Sequence, residues 1–228
     1  MTAETQSKPE FVRSLFGRIA HRYDLANHLL SGGLDFLWRK QVARIVRGWQ
    51  PKGILDLATG SGDIALALRA ACPESFIVGA DFCHPMLLMA QSKGVDHLVT
   101  ADALQLPFAD SSFDVLTVAF GLRNMEPWGE ALREMARVLH PGGHLLVLDF
   151  SVPPPPLRWL YQPYLHHVLP RVAGWVTGER AAYDYLGDSI EAFPSGDAMC
   201  ELIMNAGFTS ANAQPLSGGI VTLYRATR

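Results

Sequence analysis

Residues 54 to 65 read Ile-Leu-Asp-Leu-Ala-Thr-Gly-Ser-Gly-Asp-Ile-Ala. This stretch passes from an apolar run to a turn with Gly60 and Gly62 and then to a helix-like segment, which predicts a strand, a tight turn and a helix. Asp81 lies 19 residues beyond Gly62, at the end of the next apolar run. A carboxylate there can accept hydrogen bonds from two ribose hydroxyls. The stretch therefore favours a nucleotide-like ligand, although a tight strand-to-helix turn alone would read similarly.

Further along the chain, short apolar runs alternate with amphipathic segments. The predicted strands are residues 54–58, 76–80, 98–100, 115–120 and 145–150, with two more around Ala211 and residues 220–225. The predicted helices begin near Asp63, Pro85 and Pro127, and another covers residues 197–205. Strands that alternate with helices predict an α/β fold, in which a central, mostly parallel seven-stranded sheet carries helices on both faces.

The same sequence pattern divides the chain into four segments. We expect an N-terminal helical extension over residues 1–50, a core over 51–152, a helical cap inserted over 153–192, and the rest of the core over 193–228. Four consecutive prolines open the cap segment, which is rich in Trp, Tyr, His and Leu and lacks strand-like alternation.

Composition excludes several classes of protein. The chain has 228 residues, of which 49% are hydrophobic and 18% charged, which is typical of a globular protein. Three cysteines without metal-ligand spacing argue for a reducing cytoplasm and against a disulfide framework. No apolar run approaches the roughly 18 residues of a membrane helix. The net charge of -3 argues against nucleic-acid binding.

Charge is spread unevenly along the chain. Residues 1 to 50 hold eight Lys or Arg against four Asp or Glu, a net charge of +4. Such a front end suits an anionic membrane surface or an anionic ligand, and a solvated helix face explains it equally well. We therefore expect a cytoplasmic protein, with transient contact at a membrane surface as one possibility.

Three acids distinguish the possible nucleotide ligands. Gly60, Gly62 and Ala65 also satisfy the dinucleotide pattern, so an NAD-dependent dehydrogenase is an alternative. Asp56, however, would oppose a pyrophosphate, whereas it suits the ammonium and sulfonium of S-adenosylmethionine. Asp102 follows the third strand and can accept a hydrogen bond from an adenine amino group.

The remaining cofactor residues follow from the same pattern. Ala103 leaves room for the adenine ring, and Phe82 and Met86 are candidate walls, although core packing explains either nearly as well. The predicted cofactor site comprises Tyr23, Asp56, Thr59, Gly60, Ser61, Gly62, Asp81, Phe82, Met86, Asp102, Ala103, Ala119 and Phe120.

Three further motifs carry a resemblance to a known family. They are Tyr23-Asp-Leu-Ala-Asn27 with Ser31 and Trp38-Arg39, then Phe120-Gly-Leu-Arg-Asn124, then Arg137 to Gly143 running on to Asp149-Phe-Ser151. With them the chain resembles, over essentially its whole length, the ubiquinone/menaquinone biosynthesis C-methyltransferases, a branch of the class I S-adenosylmethionine-dependent methyltransferases. It departs from the family's usual residues at three positions: Ala26 for methionine, Asp35 for histidine and Asp149 for glutamate.

The resemblance implies a Rossmann-like class I methyltransferase fold and an activity. S-adenosylmethionine would give up its methyl group, leaving S-adenosylhomocysteine, and the acceptor would be the ring of a demethylated isoprenoid quinol. We expect demethylmenaquinol as substrate. A ubiquinol intermediate, another aromatic or polyketide carbon, or a non-catalytic quinone-binding role remain alternatives.

Candidate catalytic residues follow from the chemistry of a quinol ring. Arg123 cannot act as a base near neutral pH, so we expect it to stabilise a ring oxyanion, with Asn124 orienting the same hydroxyl. A surface turn in which Arg123 pairs with Glu126 is the structural alternative. Asp149 is either a general base or a buried hydrogen-bonding group. Tyr23 is expected to close the cofactor pocket.

The substrate is expected to lie between the N-terminal helices and the cap. Aromatic and leucine side chains of the cap, including Trp159, Leu160, Leu165 and Leu169, offer apolar surface for a prenyl tail, although a dimer interface or the cap's own core would use them equally. The predicted substrate residues are His21, Asp24, Trp38, Tyr161, Tyr164, His166, Trp175 and Tyr183. His21 and His28 are possible proton acceptors. The pair His166-His167 lacks further ligands, so no metal site is expected.

Overall fold

The computed structural model describes residue 28, residues 31–171 and residues 180–228, the last without the side chains of residues 180–184. Four predicted site residues, His21, Tyr23, Asp24 and Trp175, lie outside the described residues, as does the side chain of Tyr183.

A seven-stranded sheet forms the centre of the molecule. Its strands are β1 (Gly53–Leu57), β2 (Phe76–Asp81), β3 (Leu98–Thr100), β4 (Phe113–Ala119), β5 (Leu139–Phe150), β6 (Ser210–Leu216) and β7 (Val221–Thr227). Their order is β3-β2-β1-β4-β5-β7-β6, and β7 runs antiparallel to both of its neighbours. The predicted mostly parallel sheet is thereby confirmed.

The fifth strand differs most from its prediction. It begins at Leu139 and not near residue 145, because the backbone pairs Phe113 with Leu139 before it reaches the proline and glycines at residues 141–143. The register then shifts, and regular pairing resumes at Val115 and His144. Gly143 permits this passage, since a Cβ there would lie 2.8 Å from the carbonyl oxygen of His140.

Helices cover both faces of the sheet. They are α1 (Leu34–Trp49), α2 (Asp63–Ala71), α3 (His84–Ser92), α4 (Trp128–Val138), α5 (Leu157–Pro163), α6 (Arg180–Ala192) and α7 (Asp197–Asn205). Alternate residues of each strand serve the two faces, so Ile54 packs with α1 and α2, whereas Leu55 packs with α4 and α7. The two hydrophobic cores hold the carboxyl ends of β1, β2 and β4 at one edge.

The cap segment lies between β5 and α7. Helix α5 leads into a π-helical turn at Tyr164–Val168. Helix α6 follows residues 172–179, which are not among the described residues. Helix α6 contacts both this turn and the short 3-10 helix Leu122–Asn124 that follows β4. The cap therefore lies over the edge of the sheet where β4 ends. Among the described helices, none is long and apolar enough to cross a membrane.

Candidate active site

The glycine turn after β1 is closely packed. The Thr59 amide donates to the Ala80 carbonyl at 3.0 Å, and the Gly62 amide donates to the Thr59 carbonyl at 2.9 Å. Gly62 has φ +85°, and a Cβ there would lie 2.7 Å from Val95 Cγ2. Only glycine fits this backbone and this space. The turn thus brings the start of α2 against the ends of β1 and β2.

A cavity opens at this edge and collects most of the predicted cofactor residues. Its wall includes Gly60, Asp81, Phe82, Met86, Asp102, Ala103, Ala119 and Phe120, together with Asn124. Gly121 also lines it, and a Cβ there would lie 2.5 Å from the Ala58 Cβ. The absence of a side chain at Gly121 lets the wall approach β1 closely.

Asp81 and Asp102 lie on the wall of this cavity in different surroundings. The Asp81 carboxylate accepts hydrogen bonds from the amides of Gly60 at 2.9 Å and Cys83 at 2.8 Å, and burial raises its pKa. Asp102 is exposed, and its Oδ1 accepts a hydrogen bond from the Leu104 amide at 2.9 Å. These two carboxylates lie on the wall of the same cavity as Phe82 and Met86, which stand between them in sequence.

Asp56 is held differently from the other two acids. It is 1% exposed, does not line the cavity, and accepts hydrogen bonds from the hydroxyls of Thr59 at 2.6 Å and Thr117 at 2.7 Å. Burial, aided by the charge of Asp81, raises the pKa of Asp56 to about 6. The side chains of Thr59 and Ser61 are buried as well. Asp56 therefore supports the turn from behind and reaches a ligand only through its charge.

A second cavity, of about 360 Å³, adjoins the first and is mostly apolar. Helix α1, the cap and the ends of β5 and β7 form its wall. The predicted residues Trp38, Tyr161 and Tyr164 lie on it, as do Leu165 and Leu169 of the cap. Burial raises the pKa of Tyr161. The structure thus brings together residues that are more than 100 positions apart in the sequence.

Phe120 lines both cavities. Its backbone has φ +59°, an unusual conformation for a residue with a side chain. Its ring lies 5.8 Å from that of Trp38 and 4.7 Å from that of Phe150, measured between ring centroids. Phe120 is therefore the partition between the two cavities.

Arg123 and Asp149 form a buried ion pair behind this aromatic cluster. Arg123 is 5% exposed and Asp149 is fully buried. Arg123 Nη1 lies 2.7 Å from Asp149 Oδ1 and also donates to the Phe120 carbonyl, and the guanidinium carbon lies 5.5 Å from the centre of the Phe150 ring. The alternative pairing of Arg123 with Glu126 is wrong, because Arg123 turns inward to the neighbouring strand β5.

The pair leaves one donor without a partner. Arg123 Nε is buried and has no hydrogen-bond partner among the described residues. Asp149 also accepts hydrogen bonds from the amides of Phe150 at 2.9 Å and Arg123 at 3.3 Å. Asp149 therefore fixes both the side chain and the backbone of Arg123. Neither residue lines a cavity wall, so Arg123 acts on the cavities from behind Phe120 and Phe150.

Asn124 joins the cofactor cavity to the cap. Its side chain accepts, at Oδ1, a hydrogen bond of 2.9 Å from the hydroxyl of Tyr185 on α6. This contact leaves the amide nitrogen of Asn124 as a donor for other groups. No local sequence signal indicates Tyr185, because the contact spans 61 residues.

A group of polar residues lies on the α1 side of the apolar cavity. Ser31, Asp35 and Arg39 line its wall. Asp35 is 3% exposed, and it is contacted by Ser31 Oγ at 2.8 Å, His28 Nδ1 at 2.5 Å and Arg39 Nη2 at 2.9 Å. Arg39 continues to Asp63 at 3.0 Å, and Asp63 continues to Lys93 at 2.9 Å. We call these residues the edge network.

The structure places His166, a predicted substrate residue, away from both cavities. Its Nε2 lies 3.1 Å from Glu191 Oε1, and its ring packs on Gly187 of α6, so it faces α6 and lines neither cavity. In the π-helical turn, Tyr164 and Leu165 line the cavity instead. Trp159 is 70% exposed and also lies outside the cavity wall.

Comparison with known proteins agrees with this architecture. A model of the ubiE/COQ5 methyltransferase family matches residues 2–228. A demethylmenaquinone methyltransferase of Thermus thermophilus is 44% identical, over 92% of this chain and 98% of that protein. A ubiquinone/menaquinone biosynthesis C-methyltransferase of Syntrophotalea carbinolica is 45% identical, over 95% of this chain and 93% of that protein.

Solved structures show the fold. A methyltransferase of Thermotoga maritima that depends on S-adenosylmethionine has a TM-score of 0.66 at 19% identity and covers 94% of this chain and 98% of its own. Human N-acetylserotonin methyltransferase, solved with S-adenosylmethionine, has a TM-score of 0.57 at 16% identity and covers 83% of this chain and 55% of its own. The antiparallel β7 between β5 and β6 also differs from the strand order of dinucleotide-binding folds, so the dehydrogenase alternative is not favoured.

Proposed function

The chain belongs to the ubiE/COQ5 methyltransferase family and is a methyltransferase that uses S-adenosylmethionine, and we propose that it methylates a ring carbon of demethylmenaquinol to give menaquinol. The observation that carries the proposal is the apolar cavity of about 360 Å³ that meets the cofactor cavity at Phe120. A flat ring with a hydrocarbon tail suits a cavity of this size and lining. The names of the relatives support the same substrate.

The residues of the first cavity would hold the cofactor. Asp81 is suited to the ribose hydroxyls, Asp102 to the adenine amino group, and Phe82 and Met86 to the faces of the adenine ring. The backbone of the glycine turn would approach the methionine part of the molecule, with Asp56 supplying negative charge from behind the turn. S-adenosylmethionine, when bound, supplies an electrophilic methyl group.

Arg123 and Asn124 would stabilise the electron-rich ring. A quinol carbon becomes nucleophilic as its hydroxyl loses a proton, and the oxyanion then needs positive charge or hydrogen-bond donors. Asn124 lines the cofactor cavity and is suited to donate through its amide nitrogen. Arg123 contributes its charge from behind Phe120 and Phe150. Asp149 is better suited to hold Arg123 than to take a proton, because its oxygens are occupied by three donors.

The apolar cavity would bind the tail of the substrate. Each methylene group removed from water contributes about 0.8 kcal/mol, so a few isoprene units can supply most of the binding energy. Leu160 lies at the cavity wall and is 75% exposed, which puts it at the mouth. A polar residue at this position would weaken tail binding while leaving the ring site intact.

Turnover with matched substrates tests this proposal. Mass spectrometry would follow product and S-adenosylhomocysteine with reduced demethylmenaquinone carrying a short prenyl tail, with the same quinol without a tail, and with the oxidised quinone. We expect equal amounts of both products from the prenylated quinol, a sharply higher KM without the tail, and no turnover of the quinone. Leu160→Asp should raise KM for the prenylated quinol only.

The control is Met204→Asp, which changes an exposed apolar residue on α7, a helix that lines neither cavity. It should leave both KM values unchanged. Equal KM values for the two quinols would reject the tail site. Stabilisation by S-adenosylmethionine without any methylated quinol would reject the substrate and keep the cofactor.

The exposed apolar surfaces of α5 and α1, two helices that line the apolar cavity, support the proposal of peripheral contact with a membrane. Trp159 and Leu160 of α5 are 70% and 75% exposed, and Phe36 and Leu37 of α1 are 58% and 62% exposed. Exposed Arg158 directly precedes Trp159, and exposed Lys40 lies three residues after Leu37, as basic groups do in segments that bind anionic lipid surfaces. A tail embedded in a bilayer could then enter the cavity directly.

Flotation with vesicles tests the membrane contact. We expect the protein to float with vesicles that contain phosphatidylglycerol, and Trp159→Ser to weaken this binding several-fold while Met204→Ser does not. Binding that is equal for both variants would reject the surface. The protein could instead fail to bind vesicles and sediment as a dimer that Trp159→Ser dissociates. This result would assign the surface to contact with a second copy of the chain.

A further inference from the structure

Three side chains of the edge network form a continuous chain of hydrogen bonds. Ser31 Oγ donates to Asp35 Oδ1 at 2.8 Å, and Asp35 Oδ2 lies 2.5 Å from His28 Nδ1. The His28 ring is stacked on Phe36, with centroids 4.5 Å apart and planes 12° apart, so its orientation is fixed. These contacts are all short enough for proton transfer between neighbouring groups.

The two ends of this chain face different surroundings. Ser31 and Asp35 lie on the wall of the apolar cavity, and Asp35 side chain is only 4% exposed. His28, at the other end, has 31% of its side chain exposed. Asp35 lies one helical turn before Trp38, whose ring contacts Phe120 at the junction of the two cavities. The chain therefore runs from near the junction to solvent.

The reaction needs such a connection, an argument that rests on the proposed function. Each turnover forms one bond between a ring carbon and the methyl group and breaks the bond between that methyl and sulfur. The quinol hydroxyl gives up one proton, and the hydrogen of the methylated carbon then moves to that oxygen, which restores the hydroxyl and the aromatic ring. One proton is therefore released in each turnover. The wall of the cavity is largely apolar, and Arg123 with Asp149 is sealed from water. The proton must therefore leave by another route.

We propose that Ser31, Asp35 and His28 carry this proton from the quinol to solvent. Ser31 Oγ accepts the hydroxyl proton as it passes its own to Asp35, and His28 shares a proton with Asp35 across their short contact. One proton enters the pair at Asp35 and one leaves from the exposed imidazole. The residues therefore end each cycle with the protons they had at its start, and no other reactant is needed.

The charges around the relay suit this role. Arg39 contacts Asp35 and also Asp63 of α2, and Lys93 contacts Asp63 from beyond α3. The described groups that face Asp35 are thus His28, Ser31 and Arg39, with Asp63 and Lys93 behind Arg39. Arg39 keeps Asp35 in place when His28 is replaced, so that loss of the imidazole removes the exit without removing the acceptor.

Chemical rescue tests the relay in the full chain. His28→Ala should lower kcat at least about tenfold at neutral pH, because general acid–base groups usually contribute more than that. The affinity for S-adenosylmethionine, measured by calorimetry, should not change. Imidazole added to the buffer should restore kcat in His28→Ala. In Ser31→Ala, where the inner end of the relay is broken, imidazole should not restore it.

A matched control separates the relay from structural effects. His97→Ala removes a histidine that packs against Phe76 at the same centroid distance, 4.5 Å, with the ring planes tilted by 40°, and that lies outside both cavities. Its kcat should match that of the unchanged protein. The dependence of kcat on pH should differ from that of the unchanged protein in His28→Ala and should be the same in His97→Ala.

Two results would overturn the relay. One is an unchanged kcat in His28→Ala. The other is a loss that imidazole does not restore and that is equal at every pH, which would show a structural role. Both outcomes require that the unchanged protein methylates the quinol, so they are distinct from failure of the proposed function, in which no variant forms product.

Discussion

Two groups of paired charges flank the junction of the cavities, and they differ in their access to water. Arg123 and Asp149 are 5% and 0% exposed at their side chains, whereas His28, Arg39 and Asp63 of the edge network are 31%, 15% and 23% exposed. The buried pair cannot exchange protons with solvent and so can only hold a fixed charge. The edge network can both hold and exchange.

Their origin in the fold explains the difference. Asp149 belongs to β5 and Arg123 follows β4, and these strands are neighbours in the middle of the sheet. Charges that come from central strands are covered from both sides. The edge network comes from α1 and α2, from residues 28 and 31 before α1, and from Lys93 after α3, all of which lie outside the sheet. Elements at the surface of a fold are therefore where proton exchange with water is least costly.

The largest effect should follow from breaking the buried pair. Asp149→Asn leaves the charge of Arg123 buried without its counterion, and we expect the free energy of unfolding to fall by about 3–5 kcal/mol. Urea unfolding at neutral pH measures this. The double variant Arg123→Met with Asp149→Leu should recover most of the loss while remaining inactive. A loss below about 1 kcal/mol in Asp149→Asn would contradict the assignment.

Asp56 is as buried as Asp149, but its partners are two hydroxyl groups and not a cation. It therefore shows how a buried acid behaves without a counterion. Its pKa of about 6 lies above the ordinary value of 3.8, so the folded protein keeps a proton that the unfolded chain releases. Stability contributed by this proton is present below about pH 4 and is lost as pH rises through 6. Asp56→Asn has no such dependence.

The measurement for Asp56 is urea unfolding at two pH values. The stability of Asp56→Asn relative to the unchanged protein should rise by about 2 kcal/mol between pH 4 and pH 7. Asp114→Asn is a control with the opposite direction of shift. Desolvation raises the pKa of Asp114, but hydrogen bonds from the backbone of Gly53 and Lys52, with the charges of His140 and Lys52, together lower it. The stability of Asp114→Asn relative to the unchanged protein should therefore not rise between pH 4 and pH 7. A difference that is constant with pH would show that Asp56 titrates normally.

The smallest effect should come from the edge network. Arg39→Met is expected to lower the free energy of unfolding by about 1 kcal/mol at 0.1 M salt, and by less at 1 M, where the screening length falls to about 3 Å. The loss in Asp149→Asn should not change with salt. Arg69→Met, which breaks the exposed pair with Asp96, is the control and should have almost no effect. If the loss of stability in Arg39→Met did not depend on salt, the edge network would be as shielded from solvent as the buried pair, which would contradict the comparison.

Local patterns made part of this site predictable from the sequence. The glycine turn and Asp81 follow from one strand, one turn and the next strand, so their placement depends on the nearest neighbours in the chain. Tyr161 and Tyr164 are predicted by residue type and segment, and Trp38 belongs to a motif that carries the resemblance to the family. Their common cavity depends only on a large apolar surface being buried, which composition indicates.

Contacts between distant segments could not be predicted. Arg123 and Asp149 are 26 residues apart and meet because β4 and β5 are neighbours, which the sequence does not state. His166 was assigned to the substrate because the cap is aromatic, but a π-helical turn changes which side chains face inward. Asp35 was noticed only as a departure from the family, and its pairing with His28 depends on how α1 follows the preceding residues.

Phe120 adopts a backbone conformation with φ +59°, which costs a residue with a Cβ about 1–2 kcal/mol and costs glycine almost nothing. The chain has a large aromatic ring there although glycine would relax the backbone. Selection for stability and selection for activity thus oppose each other at this position. Engineering for heat resistance that favours glycine at residue 120 would remove the ring that lies between the two cavities.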